Sequence, residues 1–282
     1  LLTEDKDFGE WVFAHHAKGL SVLFLRYSVD ELQDINDRKY AIRGNNQDCL
    51  KSKKNMEINK ENGSFEEQLI KYRPDLLFKL NAIGDLLTIN KPTEPYSYKP
   101  PILYACWGKG VFVFKMRADL PKSWQNKINS RLLQTDGFNT LHFEEIKVAL
   151  IELTDELGIS VHIKSGPAFY IPREPVAESD IIEVHQGNRE VLQPNYQYTY
   201  QYIDHLQPCN AKIINGKAVA ICRTVRRYLS LVEAGVDTIE AYRNRGFGAE
   251  AVASWASKAW SEGLIPCYST ASENKAYLAL AS

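Results

Sequence analysis

Charge of one sign is what this chain of 282 residues most clearly lacks: 34 Lys and Arg stand against 35 Asp and Glu, a net charge of −1. That balance excludes the basic footprint that a nucleic-acid partner or an anionic membrane surface calls for. Long apolar runs are missing too. None approaches the roughly 20 residues that span a bilayer, and the opening "LLTEDKDFGEW" has neither the basic start nor the cleavage pattern of a secretory leader. The expectation is a cytoplasmic protein without a membrane partner. Cysteine is sparse: Cys49, Cys106, Cys209, Cys222 and Cys267 are odd in number, far apart and without a CxxC pair. This argues against a disulfide framework or a zinc site and fits a reducing compartment. The histidines, His15, His16, His142, His162, His185 and His205, take no metal-ligand spacing, so no metal is expected. Two phosphate motifs are also absent, the Walker loop GxxxxGK[ST] and the dinucleotide fingerprint GxGxxG. The chain opens without Met and stops at "LALAS", inside a helix-like pattern, which is how a trimmed sequence reads.

What is present is enough apolar material, 44% with 11% aromatic, for a sizeable core and two domains, or one domain with a large appendage. The first 80 residues give mixed signals: an apolar run in "EWVFAHHAKGLSVLFLRYS", a helix start at Ser28, a polar loop from Asn45 to Ser64, and a helical pattern in "SFEEQLIKYRPDLLFKL" interrupted by Pro74. "ILYACW", a Gly-Lys-Gly turn and "VFVFKMR" then read as a hairpin. "SWQNKINSRLLQTDG" and "HFEEIKVALIELTDELG" read as helices, the second with Phe143, Ile146, Leu150 and Leu153 at three-to-four spacing. "ISVHIKSGPAFYIP" is another strand and turn.

Tyr196, Tyr198, Tyr200 and Tyr202 alternate, and period two places them on one face of a strand. Such a stripe serves either packing or the lining of a substrate site. After it comes a meander: "AKIINGKAVAICRTVRRYLSLVEAGVDTI" holds three strands, the first two joined by Asn215-Gly216, the strongest short hairpin signal there is. The third delivers the chain to "EAYRNRGFGAEAVASWASKAW", Glu240 to Trp260, where Arg243, Arg245, Gly246 and Gly248 precede an alanine-rich helix. A glycine-rich turn at a helix N-terminus is an anion site, because its backbone N–H groups are exposed and the helix dipole is positive there. The arginines can add charge-assisted hydrogen bonds, although a solvated Arg245 is the plainer alternative. Val252, Trp255, Ala256, Ala259 and Trp260 repeat at helical spacing, one face for a sheet.

With RxxGxG in this setting, the segment resembles the GCN5-related N-acetyltransferase (GNAT) superfamily. Arg243, Gly246 and Gly248 match its [RQ]xxGx[GA] motif, and "IPCYSTAS" followed by "ENKAYLALA" matches its fifth strand, its Asn at Asn274 and its next helix. The likeness runs from about Asn210 to Ser282. It implies an α/β (α+β) fold: a mixed, mostly antiparallel sheet flanked by helices over 178–282, preceded by a mixed α+β domain over 1–177. It also implies acetyl-CoA as acyl donor and transfer of acetyl to an amine of a small molecule or peptide by direct attack on the thioester. Main-chain groups of Val236, Asp237 and Thr238 would pair with the pantetheine arm. Arg243, Asn244, Arg245, Gly246, Phe247, Gly248 and Ala249 would hold the pyrophosphate, with Ser272 and Asn274 further along the cofactor arm.

Acyl transfer needs a neutral amine, a stabilised oxyanion and a proton for the thiolate. The resemblance implies a fourth-strand N–H for the oxyanion. Glu233 is the candidate base, or else a strand carboxylate facing solvent or paired with Arg226 or Arg227. The family often places its proton donor seven residues after the Asn, and that position is Ala281 here; Tyr277, Ser272 and Tyr268 are the nearby substitutes, Tyr277 foremost. The departure leaves open a second class of function, a non-catalytic acyl-CoA-binding module, and a third, another acyl transfer on the same scaffold. Family members also add strands beyond the point where this sequence stops, a gap that a second copy of the chain could fill. "LLFKLNAIGDLLTINKP" and "VFVFKMRADLP" loosely resemble the first part of uncharacterised two-part acetyltransferases, and a domain covering the acceptor is the expectation for 1–177.

Overall fold

A computed structural model of the chain describes residues 18–27, 65–91, 93, 98–108, 111–133, 143–156, 158, 161–173 and 180–270. The polar segment from Asn45 to Ser64 and the residues after 270 lie outside them. The chain divides into two compact units, one of Val22–Ile89 with Tyr98–Lys164, the other of Ser165–Ser282 with Leu1–Ser21 and Asn90–Ser97. Both are mixed α+β. The early apolar run is strand β1 (Lys18–Tyr27).

In the first unit, helix α1 (Phe65–Leu77) runs through Pro74 and passes directly into β2 (Phe78–Leu80), which pairs with β3 (Leu86–Ile89). Proline in a helix deprives the carbonyl four residues back of its donor. That carbonyl is Ile70, and the Cys106 thiol reaches it at 3.4 Å. Cys106 belongs to β4 (Leu103–Gly108), which forms the expected hairpin with β5 (Val111–Met116). Leu103, Ala105 and Met116 from this hairpin meet Ile128 and Leu132 of α2 (Lys122–Leu133) and Leu153 of α3 (Phe143–Glu156) in one core.

The second unit is built on a sheet in the order β6-β11-β10-β9-β8-β7. Its strands are β6 (Val161–Tyr170), β7 (Ile181–Glu183), β8 (Cys209–Ile214), β9 (Lys217–Tyr228), β10 (Leu231–Thr238) and β11 (Ile265–Ser269). Every pairing is antiparallel except that of β10 with β11. Asn215 and Gly216, at φ 51° and 73°, make the turn between β8 and β9. Helix α5 (Phe247–Ser261) covers one face, where Trp255, Val252, Ala256 and Ala259 pack on Val232, Ala234, Val236, Cys222 and Tyr268. Small alanines let the helix lie close to the strands, and the buried Trp255 indole gives its N–H to Thr224 Oγ1 at 3.2 Å.

The opposite face of β8 and β9 is covered by residues 189–205, and here the strand reading of the tyrosines is overturned. The segment is a 3₁₀ turn (Arg189–Leu192), a short helix α4 (Gln197–Gln201) and a second 3₁₀ turn (Ile203–His205). The four rings therefore fall into two pairs and do not share one face. Tyr196 donates to the Val219 carbonyl at 2.9 Å, and Tyr200 to Glu190 at 3.0 Å with Arg189 stacked on its ring. Tyr198 and Tyr202, one helical turn apart, pair their rings at 5.1 Å. Tyr196 and Tyr200 thus complete a core with Leu192, Ile203, Cys209, Ala211 and Ile221. Alternation alone could not tell a strand from this helical turn, because residues four apart are also alternate ones.

Candidate functional site

Strands β10 and β11 run side by side only briefly. Their register pairs Leu231, Val232 and Glu233 with Ile265, Pro266 and Cys267. β10 then continues to Thr238 and β11 to Ser269 without further pairing between them. The ladder between the two strands ends at that point. Main-chain groups of successive strand residues point to alternate sides. The Ser230 carbonyl accepts from Ile265 of β11, whereas Ile239 N–H donates back to Val219 of β9. Even-numbered residues of β10 therefore aim their main chain toward β11, and beyond the end of the ladder the edge on that side belongs to Val236 and Thr238. Asp237 is turned the other way: its carbonyl lies 3.2 Å from the Tyr196 hydroxyl and its carboxylate takes Arg223 at 2.5 Å.

The chain leaves β10 through a short 3₁₀ turn (Glu240–Tyr242) and re-enters regular structure at α5. Two left-handed residues make the bend, Asn244 at φ 60° and Gly246 at φ 79°. Gly246 is the N-cap of α5, and the first helical bond is Glu250 N–H to its carbonyl at 3.0 Å. The N–H groups of Phe247, Gly248 and Ala249 are then the first-turn donors that a helix cannot satisfy internally. A Cβ on Gly246 would meet nothing within 4 Å. Arg243, the first residue of the motif, donates its Nε to the Thr238 carbonyl at 3.2 Å and ties the loop to the end of β10. Arg245 is exposed and stacks on the Tyr242 ring.

Side-chain alternation divides the β10 residues between two faces. Val232, Ala234 and Val236 lie under α5, while Glu233 is on the other face at 2% exposure. It stands opposite Arg226 in the register, and Ser269 Oγ donates to its carboxylate at 2.6 Å across the two strands. This contradicts the alternative of a solvent-facing Glu233. Next to it, the partner strand carries a bulge: Glu233 faces Arg226, Ala234 faces Thr224, and Val225 is the extra residue. Tyr268, one of the substitute proton donors, is buried in the core beneath α5 and is removed from the site by packing. Ser272, Asn274, Tyr277 and Ala281 lie outside the described residues.

Beside the first turn of α5, Lys212 of β8 bonds to Glu250 at 2.8 Å and to Asp180, with its ammonium 4.8 Å from the Phe247 ring centroid. Burial pulls the Lys212 pKa down, yet the bonds to Asp180 and Glu250 outweigh it and hold the ammonium above the ordinary lysine range. Neither Lys212 nor Ser269 was visible as a site residue in the sequence, since their partners lie 38 and 36 positions away. A lysine inside the otherwise apolar "AKII" was the one signal available. Among the described residues, no group of three His, Cys, Asp or Glu side chains could hold a metal, and no helix is long and apolar enough to cross a membrane.

The sequence model of the family described as GNAT acetyltransferase matches residues 209–282, the stretch holding the meander, the bend and α5. The C-terminal region is a GNAT acetyltransferase-superfamily domain. Among solved structures, this chain is similar to a GNAT-family protein from Novosphingobium aromaticivorans (17% identity, 39% of this chain and 52% of that one, TM-score 0.31). It is also similar to a GNAT-family acetyltransferase from Colwellia psychrerythraea (13%, 77% and 91%, TM-score 0.36) and to a GCN5-related N-acetyltransferase-like protein from Streptococcus suis (18%, 64% and 78%, TM-score 0.35). The chain thus spans about half the length of the first of these. No curated protein matches it. The GNAT fold carries a capacity for CoA, and the residues present suit its diphosphate: a left-handed glycine N-cap with no side-chain cap bond, at whose position a Cβ meets nothing, and the first-turn N–H groups of a helix.

Proposed function

We propose that the GNAT domain binds acetyl-CoA and transfers its acetyl group to an amine of a small molecule or peptide. The observation that carries this reading is the juxtaposition of two features, the parting of β10 from β11 at Glu233 and the glycine-capped start of α5 at the end of the same strand. A bound acetyl-CoA supplies an activated acyl thioester. The amides of Phe247, Gly248 and Ala249, with the bend from Asn244 to Gly246, hold its diphosphate; the edge of Val236 and Thr238 receives the pantetheine arm as a missing strand would. Arg243 acts by fixing the bend to Thr238. Glu233, on the face away from α5, takes the proton of the incoming amine, which if lysine-like has a reference pKa of about 10.4 and is charged in water; the neutral amine then forms the C–N bond as the C–S bond breaks and CoA leaves as its thiolate. Ser269 orients that carboxylate. The reading places the enzyme in the cytoplasm, with neither nucleic acid nor membrane as partner.

Calorimetric titration with acetyl-CoA, comparing the wild type with Gly246→Asp, tests it. The aspartate adds a negative charge at the N-cap, where the diphosphate would sit, and strains a left-handed position. Micromolar binding lost in a variant with an unchanged circular dichroism spectrum supports the site; a folded wild type that does not bind removes it. The deep burial of Glu233 favours a second reading, an acyl-CoA-binding module without transfer. Tight binding with no turnover across a panel of amines would select that one.

A further inference from the structure

Lys212 is a costly residue where it stands. It is 8% exposed, it lies on a strand of the sheet, and an apolar side chain would serve packing there at no desolvation cost. What it faces is specific. Glu250 occupies the first turn of α5, where a carboxylate suits the empty helix dipole but is a like charge to any anion bound at the same end. The Lys212 ammonium meets that carboxylate at 2.8 Å and also borders the ring of Phe247, the first residue of the helix. Asp180 takes a second bond from it.

We infer that Lys212 is a positioning residue for diphosphate binding, masking the charge of Glu250 and holding Phe247 so that the start of α5 presents a positive end to CoA. The inference rests on the reading of this helix start as the CoA site. Its logic is electrostatic. With the ammonium in place, the cluster of Lys212, Glu250 and Asp180 carries one negative charge instead of two, and the carboxylate on the helix itself is paired. Without it, an unscreened carboxylate remains within one helical turn of the bound diphosphate.

The test is calorimetry with CoA, which binds without turnover, on wild type, Lys212→Met, Lys212→Arg, Glu250→Gln and the double variant Lys212→Met/Glu250→Gln. Lys212→Met should weaken CoA about tenfold, the scale of one unmasked charge at this range. Adding Glu250→Gln should restore most of that loss although the ion pair is still absent, and Lys212→Arg should bind nearly as wild type. A purely structural lysine predicts the reverse for the double variant, no recovery, and that outcome overturns the inference. So does unchanged affinity in Lys212→Met. Should Lys212→Met fail to fold, Glu250→Gln alone decides: it removes the carboxylate from the helix start and leaves the ammonium paired with Asp180 alone, so it should tighten CoA binding, and equal or weaker affinity overturns the proposal. Absence of CoA binding by the wild type is a different result, which removes the site itself and the inference with it.

Discussion

Gly235 lies between Glu233 and Val236 on β10, and replacing it by alanine is a sharp test of how this part of the sheet is held. An added Cβ would sit 2.2 Å from Cγ1 of Val225, the extra residue of the bulge on β9, and 3.5 Å from its Cβ and Cγ2. Carbon atoms rest about 3.5–4.0 Å apart, so the methyl and Cγ1 must separate by more than about 1 Å. Val225 is β-branched and has few rotamers to offer. The strain falls on the two strands, at about 1–3 kcal/mol for overpacking of this kind. A melting temperature lower by roughly 2–4 °C per kcal/mol is expected. Because the strands would yield next to Glu233 and Val236, acetyl-CoA should also bind more weakly. Unfolding by denaturant supplies the assay, run as a cycle with Val225→Ala. In that background Cγ1 is gone and only an ordinary contact with Cβ at 3.5 Å remains, so Gly235→Ala should cost less than about 0.5 kcal/mol. An equal cost in both backgrounds would refute the reasoning.

Two further predictions concern chemistry. Glu233→Gln should lower kcat at least about a hundredfold, the usual contribution of a general base, and leave KM for acetyl-CoA within a few-fold. Ser269→Ala should lower kcat less, with Ser269→Thr recovering it; steady-state kinetics with an amine acceptor checks both, and a change confined to KM would contradict the assignment. Burial pushes the thiols of Cys106 and Cys209 up to about 12 and that of Cys222 well above its ordinary value. Since only the thiolate reacts, iodoacetamide at neutral pH should leave all three unmodified in the folded protein and label them after denaturation, as read by mass spectrometry.

The parts legible in the sequence were those whose signal is local. Asn215-Gly216 between apolar runs gave the β8–β9 hairpin, and Arg243, Gly246 and Gly248 before an alanine-rich run gave the bend and α5. Trp255 and its neighbours at helical spacing gave the buried face. The rest depends on partners far away in the chain. Pro74 looked like an interruption because its compensating thiol, Cys106, arrives from another element. The tyrosines looked like a strand because two-residue and four-residue periods coincide. Ser269 became a site residue only when β11 lay beside β10, and Lys212 only when β8 passed under the start of α5.

The parting of β10 from β11 also separates two kinds of information along one strand. An edge of main chain recognises its ligand through atoms that every residue but proline shares, so the donor-binding role proposed for Val236 and Thr238 would be nearly indifferent to side-chain identity. The side chains are then free for other tasks: Val232, Ala234 and Val236 serve the core under α5, and Glu233, on the opposite face, is left for the chemistry proposed above. Under the proposed function, substitutions on that second face would change which amine is accepted while the grip on the acyl donor stays as it was. A domain organised this way can diversify its acceptors by mutation without having to reinvent how it holds the donor.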